Sequence, residues 1–484
     1  MPSSRDGDVH IVHSSQVRIT DKGAAHISSP VSRWELSVVS RVREGLRART
    51  TGGDDGDWEV VDQLNLMVKN LVPGSATIAF EGASSIDSQP DAEFGYDEYE
   101  ATVTPNNLSV WTFSSQQAMG SIQTNEAGHT AESTRKVIVA GAQLGPINVD
   151  TPRSEGIQRM LKLMDDAHKA NAKLIVYPEI APVTFFPRHI LEGEELEKYF
   201  EQEVDGDITK SPNLKPLFDK AREYKMDVCI GYAECTGADH THYNTCIYYS
   251  GQVDKVVSKY RKVHLPGTFE PYERKDATNQ LEKRYFKPGD LGFEAFRAPE
   301  LVPDALTKTL GAKPNEPDTL GKGDPIVGMI ICNDRRWPEA WRTYGLQGVE
   351  LMLCGYNTTA WAPELLGTNK KISTKEKAKT EALFHNQLSL TYNSYANSCF
   401  SINVAKCGLE DGKYPLIGGS CIVDCDGEVV VEASTEDDEL IVAEIDLGMC
   451  RRGKEKVFAF EKHRRIEHYG LIAEQTGVRE PEFL

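Results

Sequence analysis

Two kinds of pattern share this chain. From about Lys136 onward, short apolar runs bounded by turn residues alternate with stretches of helical spacing. RKVIVAGAQL (135–144) and KLIVYPEI (173–180) have the length and apolar character of buried strands. Between them, Thr151-Pro152 offers a cap with proline at the first helical position. Ile157, Met160, Leu161 and Met164 then recur at helical spacing towards Ala172. A helix through Leu217 and Ala221 leads into a strand over MDVCIGYAE (226–234). TCIYYSGQVDKVVSKYRKVHL (245–265) reads as a hairpin turning at Ser250-Gly251. Further strands fit PIVGMIIC, VELMLC, CFSINVA, GSCIVDC, GEVVVEA and ELIVAEID, and helices fit 338–345 and 374–395. Many strands interleaved with a few helices predict a layered α/β or α+β fold for 136–484.

Residues 1–135 differ. They are rich in Ser, Thr, Gly and Asp, with weak periodicity, and between Asp54 and Glu100 the only basic residue is Lys69. Only 31–50 has helical character. This composition predicts an N-terminal extension that is poorly ordered or folds on its own, with a regulatory or partner-binding arm as the alternative.

The formal net charge of −19 over 484 residues argues against nucleic acid or an anionic membrane as partner. No run reaches the roughly 18 apolar residues of a membrane-spanning helix. The polar start MPSSRDGDVH lacks the apolar core of a secretory signal. All ten cysteines lie at or after Cys229, which fits reduced thiols and a cytoplasmic location. Cys421 and Cys425 read as core residues of a strand and its turn, not as metal ligands.

Three polar residues stand at the ends of apolar strands: Glu179, Lys262 and Cys332. A thiol needs help to ionise near neutral pH; a cation lowers its pKa and a carboxylate can accept its proton. A cysteine at a strand-to-helix turn also presents the following backbone N–H groups, here those of Asn333 and Asp334, to a carbonyl oxygen. Each residue also has an ordinary reading: Glu179 as a cap, Lys262 as a solvated rim residue, Cys332 as core filling. The Arg335-Arg336 pair offers a guanidinium fork for a substrate carboxylate, or an internal ion pair with Asp334 or Glu339.

VYPEIAPVTFFPRH (176–189), KYRKVHLPG (259–267), LEKRYFKPGDLGF (281–293), ICNDRRWPEAWR (331–342) and CGYNT (354–358) resemble, in order and spacing, motifs of the nitrilase superfamily of carbon-nitrogen hydrolases. Within it they are most similar to the N-carbamoyl-D-amino acid hydrolases. The resemblance runs from about Lys136 to Glu474. It implies a nitrilase-like αββα sandwich, with subunits pairing into a four-layer homodimer and often a homotetramer. It implies a catalytic triad at Glu179, Lys262 and Cys332, with a second glutamate at Glu282. It puts His264, Asn333, Arg335, Arg336, Asn357 and Thr358 in the substrate pocket. It implies no metal or organic cofactor, and a small-molecule substrate bearing a carboxylate. The reaction implied is hydrolysis of an N-carbamoyl amino acid to amino acid, ammonia and carbon dioxide. Other amidases, β-ureidopropionase and nitrilase are the alternatives within the superfamily, and an inactive scaffold is the alternative outside it.

The chain departs from that pattern in three places. Gln280 stands two before Glu282 where a histidine is expected; one extra residue separates Lys262 from Glu282; and 359–373 is more charged than its counterpart. His240-Thr241-His242 could begin a metal site, but without partner ligands at a telling spacing it reads as a solvated loop. KKISTKEKAK (370–379) reads as helix surface, and FEKHRRIEHYG as surface or subunit contact.

Overall fold

The computed structural model describes residues 135–237, 239–302, 323–367 and 374–483, and the backbone of five strands nearer the N-terminus. Two compact units divide the chain, Met1–His129 and Thr130–Leu484. The first carries one antiparallel sheet of β1 (Val9–Val12), β2 (Gln16–Ile19), β3 (Ala25–Ile27), β4 (Ala76–Gly82) and β5 (Asp97–Val103), in the order β3-β2-β1-β4-β5. The helix expected over 31–50 lies outside the described residues.

The second unit holds two six-stranded sheets. One contains β6 (Lys136–Gln143), β7 (Leu174–Val176), β8 (Asp227–Cys235), β9 (His242–Ser250), β10 (Lys255–Arg261) and β19 (Glu439–Asp446), ordered β10-β9-β8-β7-β6-β19. The other contains β11 (Phe296–Arg297), β12 (Ile326–Ile331), β13 (Leu351–Tyr356), β14 (Phe400–Ala405), β17 (Cys421–Val423) and β18 (Val429–Glu432), ordered β11-β12-β13-β14-β17-β18. β15 (Cys407–Glu410) and β16 (Tyr414–Ile417) form a separate hairpin. At the centre of each large sheet three strands run parallel, β6-β7-β8 and β12-β13-β14.

The period-two alternation of the strands builds the layers. Val137, Val139, Leu174 and Val176 join the core shared with the second sheet. Their neighbours Ala140, Ala142 and Ile175 face the other way, against Ile157, Met160 and Met164 of α1 (Arg153–Lys169) and Leu217, Phe218 and Ala221 of α3 (Lys215–Tyr224). Between these helices in sequence lies the short α2 (Gly193–Glu197), and α4 (Glu282–Tyr285) follows later. Trp341 and Tyr344 of α5 (Pro338–Leu346) and Leu390 of α6 (Lys375–Asn397) cover the second sheet. The α/β sandwich is therefore αββα, and its four layers are complete within one chain rather than assembled by pairing two chains.

The hairpin at Ser250-Gly251 forms as expected, as do the strands and helices read from 325 onward. KLIVYPEI gives a shorter strand than its apolar run suggests. It ends at Val176, because Pro178 has no N–H to continue the ladder. Cys421 and Cys425 are buried. Among the described residues, no helix is long and apolar enough to cross a membrane.

Candidate active site

Every strand that feeds the site ends at the same edge of the sandwich. β7 leads to Glu179, β10 to Lys262, β12 to Cys332, and β13 to Asn357 and Thr358. The carboxyl edge of parallel strands is where layered α/β folds place ligands. The turn at Pro178-Glu179 is wedged between the sheets by two glycines. A Cβ at Gly231 would stand 2.7 Å from Pro178 O, and one at Gly355 would stand 2.8 Å from Glu179 N. Only residues without a side chain let both strands approach this turn.

Glu179, Lys262 and Glu282 meet in a fully buried cluster. Lys262 Nζ donates to Glu179 Oε1 at 2.7 Å and to Glu282 Oε2 at 2.6 Å, and none of the three side chains touches solvent. Burial alone would lower the Lys262 pKa. Glu179 and Glu282, and Cys332 whenever it is ionised, outweigh it, so the ammonium is held above the ordinary lysine range. Burial pushes the Glu282 carboxyl up, partly offset by Lys262 and helped by Glu179. Asn244 Nδ2 donates to Glu179 Oε1 at 2.8 Å, and Gln280 Nε2 donates to Glu282 Oε1 at 2.6 Å. Glu179 Oε2 is buried and accepts no hydrogen bond among the described residues. It is the oxygen left to take a proton.

Cys332 opens a tight turn over Cys332–Arg336, directly after β12, with φ of +49°. A non-glycine residue in the left-handed region is costly, and such positions gather at functional sites. Sγ stands 3.9 Å from Thr358 Oγ1 and 4.0 Å from Asn357 O. Burial and Glu179 raise the Cys332 pKa, against the pull of Lys262 and Arg335. The resting group is a thiol, and its activation requires a base close by.

The two arginines divide. Arg335 is buried, and its guanidinium is committed to Asn386 Oδ1 (2.7 Å), Cys332 O (2.6 Å) and Thr358 Oγ1 (3.0 Å), over the Tyr356 ring. It ties α6 to the cysteine turn. Arg336 is open to solvent although protein closes round it, and burial together with Arg335 presses its pKa down to about 10. Its hydrogen bond is to Asn333 Oδ1 at 3.2 Å, and among the described residues no carboxylate pairs with it. Neither arginine pairs with Asp334 or Glu339. Asp334 instead accepts from Tyr260 Oη, Ile331 N and His264 N, and stands 2.7 Å from His264 Nδ1. His264 is thereby fixed on the rim, stacked on Trp337 at 4.8 Å. Asn333 Nδ2 donates to His264 O.

A family model described as carbon-nitrogen hydrolase matches residues 138–455. The chain belongs to the carbon-nitrogen hydrolase family. It is 26% identical over 344 residues to the N-carbamoylputrescine amidase of Oryza sativa, covering 71% of this chain and 97% of that one. It is 25% identical over 323 residues to a citrullinase of Francisella tularensis, covering 66% and 93%. Among solved structures, the carbon-nitrogen hydrolase of Helicobacter pylori G27 shares its fold, with a TM-score of 0.53, 20% identity, and coverage of 71% of this chain and 99% of that one. This hydrolase is thus a nitrilase-superfamily enzyme of the amide C–N type.

Several residues of the hydrolase site escaped the sequence reading. Asn244 closes TGADHTHYN, a stretch that reads as a polar loop, whereas the structure puts it inside β9. Asn386 lies 51 residues from its partner Arg335. Arg188, in the quoted TFFPR, is fully buried and donates to Asn357 Oδ1 at 2.7 Å, so it orients a residue beside the thiol. Of the 359–373 departure, residues 368–373 lie outside the described residues.

Proposed function

We propose that this hydrolase cleaves the carbamoyl C–N bond of N-carbamoyl amino acids, in the D series, through a covalent Cys332 adduct. Glu179 takes the thiol proton on its unpartnered Oε2. The thiolate attacks the carbamoyl carbon. A lysine ammonium carries three donors, and two are held by Glu179 and Glu282, so one remains for the oxyanion beside the Asn333 amide. The C–N bond breaks as Glu179 returns the proton to the departing nitrogen, with Glu282 helping to place donor and substrate. Water activated by Glu179 then cleaves the S-thiocarbamate, and the carbamate set free breaks down to carbon dioxide and the remaining amine. Whichever nitrogen leaves first, the products are an amino acid, ammonia and carbon dioxide.

The observation that carries the carboxylate part of this reading is Arg336: a cation next to the cysteine turn, with no carboxylate of its own among the described residues. Two relatives named for N-carbamoylputrescine and for citrulline support a carbamoyl-type substrate. His264, Asn357 and Thr358 supply the remaining pocket, and no cofactor enters the scheme. The test is ammonia and amino-acid release from N-carbamoyl-D- and L-amino acids and from N-carbamoylputrescine, with Cys332→Ala alongside. Equal release of both products from the D-amino acid derivatives by the parent alone is expected. Faster turnover of the carboxylate-free compound would overturn the Arg336 reading.

Residues 1–135 take no part in this chemistry. A chain starting near Ser133, which keeps the buried Arg135–Glu350 pair, is expected to retain turnover. A homodimer or homotetramer is supported by the exposed stripe Phe384, Leu388, Tyr392 and Tyr395 on α6, and light scattering reads it directly.

A further inference from the structure

The His240-Thr241-His242 motif is only half a solvated loop. His240 is exposed, but His242 opens β9 and stacks on Phe200 with ring centroids 3.8 Å apart. Its cross-strand partner is Cys235, the last residue of β8, so the two side chains share one face of the sheet. Glu197, at the end of α2, brings its Oε1 to 3.3 Å from His242 Nε2. That contact lacks the geometry of a hydrogen bond: Nε2 is buried and has no hydrogen-bond partner among the described residues. The ligand atoms of Glu197, Cys235 and His242 all lie within 4.8 Å of one another. Cys235 Sγ also stands 3.6 Å from His240 Nδ1.

We propose that Glu197, Cys235 and His242 bind one zinc-class divalent cation, with water in the fourth position. Thiolate, imidazole and carboxylate together suit a borderline ion rather than magnesium or calcium. With Zn–N and Zn–O near 2.0–2.1 Å and Zn–S near 2.3 Å, a tetrahedral ion spaces its N and O ligands about 3.4 Å apart and its S and N ligands about 3.6 Å apart. The observed 3.3 Å between Glu197 Oε1 and His242 Nε2 matches the first of these separations before any ion is bound. On binding, the Cys235 thiol gives its proton to solvent. The ion would clasp α2 to the β8–β9 edge. It would thus fasten the far end of the segment that leaves the active site at Glu179, without touching the reaction.

The test uses the full-length chain carrying Cys332→Ala, to remove the reactive thiol, stripped with a chelator, reduced, and titrated with Co²⁺. One equivalent should bind, with intense visible bands of a tetrahedral ion and a thiolate-to-cobalt charge-transfer band. Zn²⁺ should displace it and raise the Tm. Cys235→Ser should abolish the charge-transfer band. Glu197→Gln changes an exposed side chain, leaves the fold intact by circular dichroism, and should weaken binding at least tenfold. Failure of the stripped protein to take up one equivalent overturns the site. So does either variant binding as tightly as the parent.

Discussion

Among the described residues two lysines are fully buried, and their pKa values move in opposite directions. Lys262 is held between Glu179 and Glu282 and keeps its charge above the usual lysine range. Lys406, just after β14, is pushed down to about 8 by burial, with Glu410 at 3.7 Å resisting and Arg188 adding to the fall. The difference lies in the carboxylates. Lys262 has two at hydrogen-bond distance. Lys406 has one, further away, and that one is already claimed by Arg188. Lys406 otherwise donates to Val183 O. Burial penalises both ammonium groups, and the number of acids decides which one is held above and which below the usual lysine range. The two acids beside Lys262 hold a charged donor in place, and Glu179 Oε2 is left without a hydrogen bond among the described residues. The Lys406 cluster has two cations for one acid, and it positions Asn357 through Arg188.

Substitutions should separate the two regions by size of effect. The largest is expected at Lys262→Met. It leaves two buried carboxylates without a cation, costs about 3–5 kcal/mol of stability, and lowers turnover on the order of 10⁴-fold; chemical denaturation and product release read the two losses separately. Next is Arg188→Leu. Glu410 then keeps the Phe185 N–H and, as a cation, the more distant Lys406, so destabilisation of about 3 kcal/mol is expected, and turnover falls because Asn357 loses its anchor. Thermal melting of the variant against the parent checks the first part; activity measured well below the melting point checks the second. Arg336→Gln should leave stability alone and reduce kcat/KM for carboxylate substrates on the order of 10- to 100-fold, mostly through KM, without affecting N-carbamoylputrescine. An equal loss on both substrates would remove the carboxylate contact from the account. The smallest change is expected for Lys406→Met, within about 1 kcal/mol at pH 7, since replacing a poorly compensated buried charge with an apolar chain of similar length is often neutral.

The comparison also has a pH signature. Lys406 is lower in the folded chain, about 8, than the roughly 10.4 of an unfolded lysine, so unfolding takes up a proton between these values and stability rises with pH across that window. Lys262 is raised on folding, so its contribution is complete below the unfolded value and declines only as pH climbs towards the folded one. Denaturation of the parent from pH 7.5 to 10 should show the rise, and Lys406→Met should flatten it.

Much of this was legible in the chain. Glu179, Lys262 and Cys332 each follow an apolar run of strand length, and strands of one layered fold end together. The alternation of strand and helix patterns gave a layered fold, and the resemblance of the motifs to the nitrilase superfamily made it an αββα sandwich. What the residues could not show were contacts across strands and layers. Asn244 reaches Glu179 over 65 residues, and in the sequence it reads as the end of a polar loop. The arginine pair looked equivalent in sequence, yet one points into the protein and the other to its surface. His242 read as loop because Glu197 and the end of β8 come to it only through the fold. The shortening of β7 was a local signal overlooked: Pro178 ends the ladder one residue before Glu179.

The central claim is that the ammonium between two acids, not buried lysine in general, runs the chemistry. Ammonia release from an N-carbamoyl-D-amino acid, measured side by side for the parent, Lys262→Met and Lys406→Met, tests it most directly. Turnover by the parent and by Lys406→Met within a few-fold of each other, with none by folded Lys262→Met, is the predicted result. Lys262→Met retaining turnover while folded, or Lys406→Met losing it to the same degree, would contradict the account.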